Sequence, residues 1–276
     1  MALEVRRIDT GDVELDSSFL VLMRDPGRSL FVPTYAYLIL GGEAPILVDT
    51  GFRNEEIMQR LEMQGRRRPD MTLDAQLRQH GLNLGDIKYI VHTHLHIDHA
   101  GQDDLFPMST TVVTNRRELE YSVSGLMHPQ YPVEDIKHLI DRLHTKNSLR
   151  LLDLDITGEE EIMPGVTCVL SGAHTEGHMN VMVETSDGIA CICGDAFYDI
   201  YDQMVMPSMP LLADEPWPTG NHGTTKRQER GAIKKILNAS RAVFPCHARG
   251  GLVEHKRFVA ALDHSWPGTT SDLNSL

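Results

Sequence analysis

The stretch Ile90-Val91-His92-Thr93-His94-Leu95-His96-Ile97-Asp98-His99-Ala100-Gly101 decides how the rest of this chain is read. His94, His96, Asp98 and His99 place four side chains able to bind metal within a few consecutive positions, behind the apolar run Tyr89-Ile90-Val91. An isolated histidine is ordinarily a satisfied core or surface residue. Four ligand-type residues at this density point to a metal site. Alternate side chains of a β-strand share a face, so a strand ending here holds out His94 and His96 together. The turn that follows brings Asp98 and His99 back toward the same point.

Upstream, Thr34 to Leu40 and Pro45 to Asp49 read as two strands joined at Gly41-Gly42-Glu43, and Thr50-Gly51 ends the second in a loop. Residues 1–31 read as short strands and turns, with Phe19 to Met23 strand-like before the Asp25-Pro26-Gly27 turn. Asn54 caps a helix running to Gln64, and Asp74 to His80 continues as a helix closed by Gly81. Arg66-Arg67-Arg68 between them reads as a solvated loop. Downstream, 110–114 is a strand, 116–121 a helix, and 133–143 an amphipathic helix with Ile136, Leu139, Ile140 and Leu143 on one face. Strands follow at 149–153, 166–170, 179–184 and 189–193, the last two joined by the hairpin signal Thr185-Ser186-Asp187-Gly188. Residues 200–223 are irregular and rich in Met and Pro. A helix at 225–240, a strand at 242–244, a helix at 254–262 and a frayed tail after Pro267 complete the chain. No linker divides it. Two α/β halves packed sheet to sheet, with helices outside, fit this order in one domain over 1–276.

Three later residues stand at the ends of expected strands, where α/β architectures gather their sites. They are His174 in Ser171-Gly172-Ala173-His174, Asp195 after Cys191-Ile192-Cys193-Gly194, and His247 after Val243-Phe244-Pro245-Cys246. The four cysteines, Cys168, Cys191, Cys193 and Cys246, read as small buried hydrophobes, with Cys191 and Cys193 sharing one strand face as a vicinal-pair alternative.

Taken in order, His94-x-His96-x-Asp98-His99, His174, Asp195 and His247, with Leu47-Val48-Asp49-Thr50-Gly51 upstream, resemble the metallo-β-lactamase superfamily. The resemblance runs from about residue 35 to residue 250. It implies an αββα sandwich, two mixed β-sheets with helices on the outer faces and metals at one edge. In the binuclear pattern it implies, His94, His96 and His174 hold one ion, Asp98, His99 and His247 the other, and Asp195 bridges. Asp49 would steady the histidine loop by hydrogen bonds. These ligand types suit two Zn²⁺ per chain, with Fe, Mn or Co as alternatives. The flavodiiron reductases place an acid where this chain has His96, which disfavours a redox di-iron role. The pattern does not need His92, His178 or His264, and only His178 is a candidate for supporting the ligands.

Two cations sharing a water bring its pKa toward neutrality, so that a bridging hydroxide can attack a carbonyl, with Asp98 orienting it and carrying the proton. Asp195-Ala196-Phe197-Tyr198 is similar to the Asp-x-x-Tyr of the N-acyl-homoserine lactonase branch, which implies that Tyr198 contacts the lactone carbonyl. The opening at 31–51 and the helical insertion at 54–80 are similar to that branch too. The insertion's Ile57, Met58, Leu61 and Met63 serve an acyl pocket, a homodimer contact or plain core packing. Gly172-Ala173 before His174 and Gln102 after Gly101 depart from the branch, as does the region 200–223. There Met204, Met206, Met209, Leu211, Leu212 and Trp217 form either a pocket wall or a packed loop.

The chain has 276 residues, 41% hydrophobic and 24% charged, as ordinary globular proteins do. Its net charge of −13 argues against a nucleic-acid partner, which demands a basic face. No apolar run approaches the roughly 20 residues that span a bilayer, and the acid-bearing N-terminus does not resemble an export signal. The expectation is therefore a cytoplasmic metal-dependent hydrolase acting on a small lactone or ester with an apolar portion. The alternatives are a thioesterase of glyoxalase II type, for which the tail 250–276 is short, and a β-lactam or amide hydrolase, more often exported. A non-catalytic metal-binding or redox module is disfavoured by the full ligand set.

Overall fold

A computed structural model describes residues 2–207 and 215–276. Among these residues two mixed eight-stranded sheets stack face to face. The first runs Ser265–Trp266, Glu4–Asp16, Ser29–Leu40, Ile46–Val48, Tyr89–Val91, Thr111–Asn115 and Leu149–Leu152, with Gly65–Arg66 pairing on Glu4–Asp16. Its last four strands in that order are mutually parallel. The second runs Thr270–Ser271, Arg257–Leu262, Gly251–Glu254, Ala242–Pro245, Gly188–Gly194, Met179–Thr185, Val166–Leu170 and Glu159–Met163. Its one parallel pair is Gly188–Gly194 with Ala242–Pro245.

Three apolar layers hold this stack. Val5, Ile39, Val48 and Val91 of the first sheet meet Val181, Val183, Ile192 and Phe244 of the second in the central layer. Leu73, Leu77 and Leu139 from helices cover the outer face of the first sheet. Ile233, Ile236 and Leu237, from the capped helix Lys226–Ala239, cover the second. Each fully buried aliphatic side chain contributes about 1.5–3 kcal/mol to this arrangement. The chain is thus an αββα sandwich, as expected.

Several local expectations fail for identifiable reasons. Phe19 to Met23 is not a strand: Asp16 accepts from Ser18 N and caps a short helix, Ser17–Leu20. The N-terminal segment is one long strand, Glu4–Asp16, bulged between Asp9 and Asp12. The strand Glu159–Met163 carries a run of acids that hides its pairing. The helix expected at 254–262 is a hairpin whose turn residues His255 and Lys256 adopt φ of 49° and 67°. The tail is tied down instead of frayed, because Arg249 donates to Ser275 O and Ser271 Oγ. The Asn54-capped helix stops at Arg60. On the helix Val133–Leu143, Leu139 is buried while Ile140 and Leu143 are exposed.

Arg67 is not a solvated residue. Its guanidinium stacks 4.2 Å from the Phe52 ring centre and donates to the carbonyls of Thr10, Phe52 and Arg53, and burial pulls its pKa down to about 10. It pins the loop that leads out of Thr50-Gly51.

Candidate metal centre and cleft

The parallel pair Ile46–Val48 and Tyr89–Val91 ends at a single rim, delivering Asp49 and the His94 loop side by side. Asp49 adopts φ of 61°, which turns its carboxylate inward. One oxygen accepts from Thr93 N at 2.9 Å; the other accepts from Thr93 Oγ1 and His99 Nδ1, each at 2.8 Å. Burial opposes ionisation of Asp49, but the charges and hydrogen bonds of His99 and His92 outweigh it and hold the carboxyl near 2. The support expected of Asp49 is in place. Gln102, the departure after Gly101, donates its side-chain amide to Thr50 O and so ties the same loop.

All seven expected ligands converge where the two sheets share an edge. The ligand atoms of His94, His96, His174 and Asp195 lie within 4.8 Å of one another, as do those of His99, Asp195, Cys246 and His247. Asp195 belongs to both groups: Oδ2 stands 3.4 Å from His174 Nε2 and Oδ1 3.2 Å from His99 Nε2. Asp98 sits at the open rim, 3.3 Å from His247 Nε2 and 3.9 Å from His99 Nε2. His247 donates Nδ1–H to Pro33 O at 2.9 Å, which aims Nε2 at Asp195 and Asp98.

These residues fit divalent ions. The Nε2 atoms of His94, His96 and His99 and Oδ1 of Asp195 are buried without a hydrogen-bond partner, a costly arrangement unless something binds them. Burial, together with neighbouring imidazolium charge, pushes His94 and His174 far below the usual histidine range and His96 to about 3. These rings are therefore held neutral, the form that binds a metal, with His174 Nε2 and His96 Nδ1 3.0 Å apart. Burial also opposes charge on His99 and His247, but Cys246 and the Asp195 carboxylate beside them raise both above the usual range, so metal binding there would displace protons.

Tyr198 stacks on His247, with ring centres 5.2 Å apart and planes 8° apart, and meets His174 edge-on. Burial and then the charge of Asp195 push its phenol well above its usual pKa, so it stays a proton donor. With His96, Asp98, Asp195 and His247 it lines a cleft of about 350 Å³. Leu15, Phe19 and Met63 give that cleft an apolar wall. Ile57 and Met58 pack instead into the core with Phe52 and Ile97. Trp217 packs behind Tyr198 with Leu20 and Val21, and Met204 packs against the helical layer of the second sheet. Met209, Leu211 and Leu212 lie outside the described residues.

Sequence reasoning missed Glu118. Its buried carboxylate accepts from Leu95 N at 3.1 Å, Tyr131 Oη at 2.9 Å and Thr175 Oγ1 at 2.6 Å. It therefore clamps the His94–His96 segment to the His174 segment. A Cβ on Gly177 would lie 2.1 Å from Glu118 N, so only glycine allows this approach. His92 is also more than packing: its Nε2 lies 2.9 Å from both Asp103 oxygens, and despite burial Asp103 raises it to about 9. His178 is buried beside His94 and His174, while His264 pairs with Arg7 at the surface. Cys168 lies between the sheets, and Cys191 and Cys193 face the helical layer as buried hydrophobes. Cys246 departs from that expectation by standing among the ligand atoms.

A family model for the metallo-beta-lactamase superfamily matches residues 30–247, which contain every converging residue. The chain belongs to the metallo-beta-lactamase superfamily. Among members of this superfamily, an N-acyl homoserine lactonase of Bacillus cereus is 31% identical over 202 residues, covering 69% of this chain and 74% of the relative. A crystal structure of a Bacillus thuringiensis AiiA variant with N-decanoyl-L-homoserine at its active site superposes with a TM-score of 0.70 at 23% identity. It covers 90% of this chain and 94% of that one. AidC, described as a dizinc quorum-quenching lactonase, superposes with a TM-score of 0.66 at 16% identity, covering 93% and 94%. The likeness to these two solved structures is one of fold.

Proposed function

We propose that this chain is a metal-dependent hydrolase that opens a lactone of the acyl-homoserine-lactone type or a closely related small carboxylic ester. The observation that carries this reading is the pair of ligand groups sharing Asp195 in a cleft that Leu15, Phe19 and Met63 line together with Glu14, Asp16 and Glu62, with Tyr198 at its side. The lactonase relatives support the choice of a lactone. His94, His96 and His174 would hold one ion, Asp98, His99 and His247 the other, and Asp195 would touch both. The donor set favours zinc, with iron, manganese or cobalt as substitutes. Bound divalent ions supply Lewis acidity and make water at the site more acidic.

The side chains do the rest. Asp98, facing the cleft, accepts a proton from the attacking water and returns it to the ring oxygen as the acyl–oxygen bond breaks. Water and lactone thereby become a hydroxy acid. The Tyr198 phenol donates a hydrogen bond to the carbonyl oxygen as negative charge grows there. Leu15, Phe19 and Met63 take up the apolar portion of the substrate. The reading covers residues 1–276 as one hydrolase domain and places it in the cytoplasm, the compartment in which buried, unpaired thiols persist.

The test is metal analysis of protein purified without chelator, followed by assay against lactones, thioesters, β-lactams and phosphodiesters. Two ions per chain and turnover of lactones above the other classes are expected. Metal-loaded protein inert to every lactone offered would sink the proposal.

A further inference from the structure

The position expected of the second ion has one donor that the superfamily pattern does not require. Cys246 follows the strand Ala242–Pro245, and its backbone is held from both sheets: its N–H donates to Gly194 O at 3.3 Å, and its carbonyl accepts from Tyr35 N at 3.0 Å. The thiol is buried, and its sulfur lies within 4.8 Å of the ligand atoms of His99, Asp195 and His247. Donors around one zinc ion stand about 2.0–2.3 Å from it, so any two of them are separated by less than twice that length. The 4.8 Å that bounds the four atoms here is close to the upper end of this limit, about 4.6 Å. Two of its three neighbours also point to an absent ligand, since His99 Nε2 and Asp195 Oδ1 are buried with no hydrogen-bond partner. The other cysteines provide the contrast. Cys193 Sγ donates to Phe244 O at 3.5 Å, Cys191 and Cys193 pack on the helical layer, and Cys168 lies between the sheets.

We infer that the Cys246 sulfur is a ligand of the second ion, completing a set with His99, His247 and Asp195. This inference rests on the proposed metal-dependent reading. On binding, the thiol loses its proton to solvent and the sulfur's lone pair forms the bond to the metal, with no change of oxidation state. A thiolate favours zinc and cobalt over magnesium, calcium or manganese, so it narrows the metals this position accepts. It also shares the holding of this ion with the Asp98 carboxylate. That carboxylate, at the open rim and 3.3 Å from His247, faces the cleft and manages protons.

The experiment loads metal-free protein with two equivalents of Co²⁺ and records its absorption spectrum. A sulfur-to-cobalt charge-transfer band in the near ultraviolet is expected in the unaltered protein. It should persist in Cys193→Ala and Asp98→Asn and be lost in both Cys246→Ser and Cys246→Ala. Chelator competition should show one of the two cobalt equivalents held more weakly in the Cys246 variants, with circular dichroism confirming that they are folded. Two bound cobalt ions without the band, or a band that survives in Cys246→Ser, overturn the inference and leave the hydrolase reading standing. Failure to bind cobalt at all overturns both.

Discussion

Asp49 and His99, fifty positions apart in sequence, are joined by a 2.8 Å hydrogen bond from the imidazole Nδ1 to the carboxylate. This bond sets which ring nitrogen of His99 faces Asp195, because the nitrogen that donates to Asp49 cannot also bind an ion. Asp49→Ala should therefore weaken metal binding by roughly 10–100-fold. Equilibrium dialysis against a metal-buffered series measures it. An unchanged affinity would show that Thr93 and the backbone orient His99 without help.

Glu118 joins the two segments that carry His94, His96 and His174. Glu118→Ala leaves the Leu95 N–H and the Thr175 and Tyr131 hydroxyls buried without their acceptor, at about 1–3 kcal/mol for each group that finds no other. A loss of several kcal/mol in urea unfolding is the expected outcome, with Glu118→Gln milder because it keeps the shape and one acceptor. Equal losses in the two variants would mean that packing, and not hydrogen bonding, is what Glu118 provides.

Tyr198→Phe keeps the ring that stacks on His247 and removes only the phenol proton. Turnover should fall by roughly 10²-fold, as when one oxyanion donor is deleted, while the metal content stays at its original value. Steady-state kinetics with paired metal analysis separates the two effects. Turnover equal to that of the unaltered protein would remove Tyr198 from the chemistry.

Asp135 makes stability depend on pH. Its carboxyl is buried beside Arg53, which donates to one oxygen at 2.7 Å while the other oxygen has no partner. Burial raises its pKa from 3.8 to about 7; Arg53 opposes the shift, and Asp103 and Asp104 add to it. The upward shift of Arg53 records the same pairing from the other side, though at the carboxyl burial prevails. The folded state thus favours the protonated form. Asp135 contributes stability that is full below about pH 4 and is lost as pH rises through 7. Asp135→Asn should abolish this decline, and its advantage over the unaltered protein should grow to on the order of 1–3 kcal/mol between pH 4 and 8. Thermal melts across that range would show parallel curves if Asp135 were already ionised in the folded protein.

The fold class and the donor cluster were legible in the sequence because both rest on local signals. A metal needs a particular kind of donor, and His94, His96, Asp98 and His99 crowd those donors into one short run. The alternation of apolar strands with helices such as Lys226–Ala239 announces two covered sheets. Only the tertiary structure decided which distant groups share a neighbourhood. Glu118 lies in an ordinary-looking helix, Arg67 in a basic run, and Cys246 beside an expected ligand. Each meets its neighbours from other segments: Thr175 for Glu118, Phe52 for Arg67, and His99 with Asp195 for Cys246. The hairpin at 251–262 and the tethered tail were hidden for the same reason. Their pairing with neighbouring strands and with Arg249 stabilises what local propensity leaves ambiguous. Donor chemistry is written residue by residue, whereas burial and partnership exist only once the two sheets close on each other.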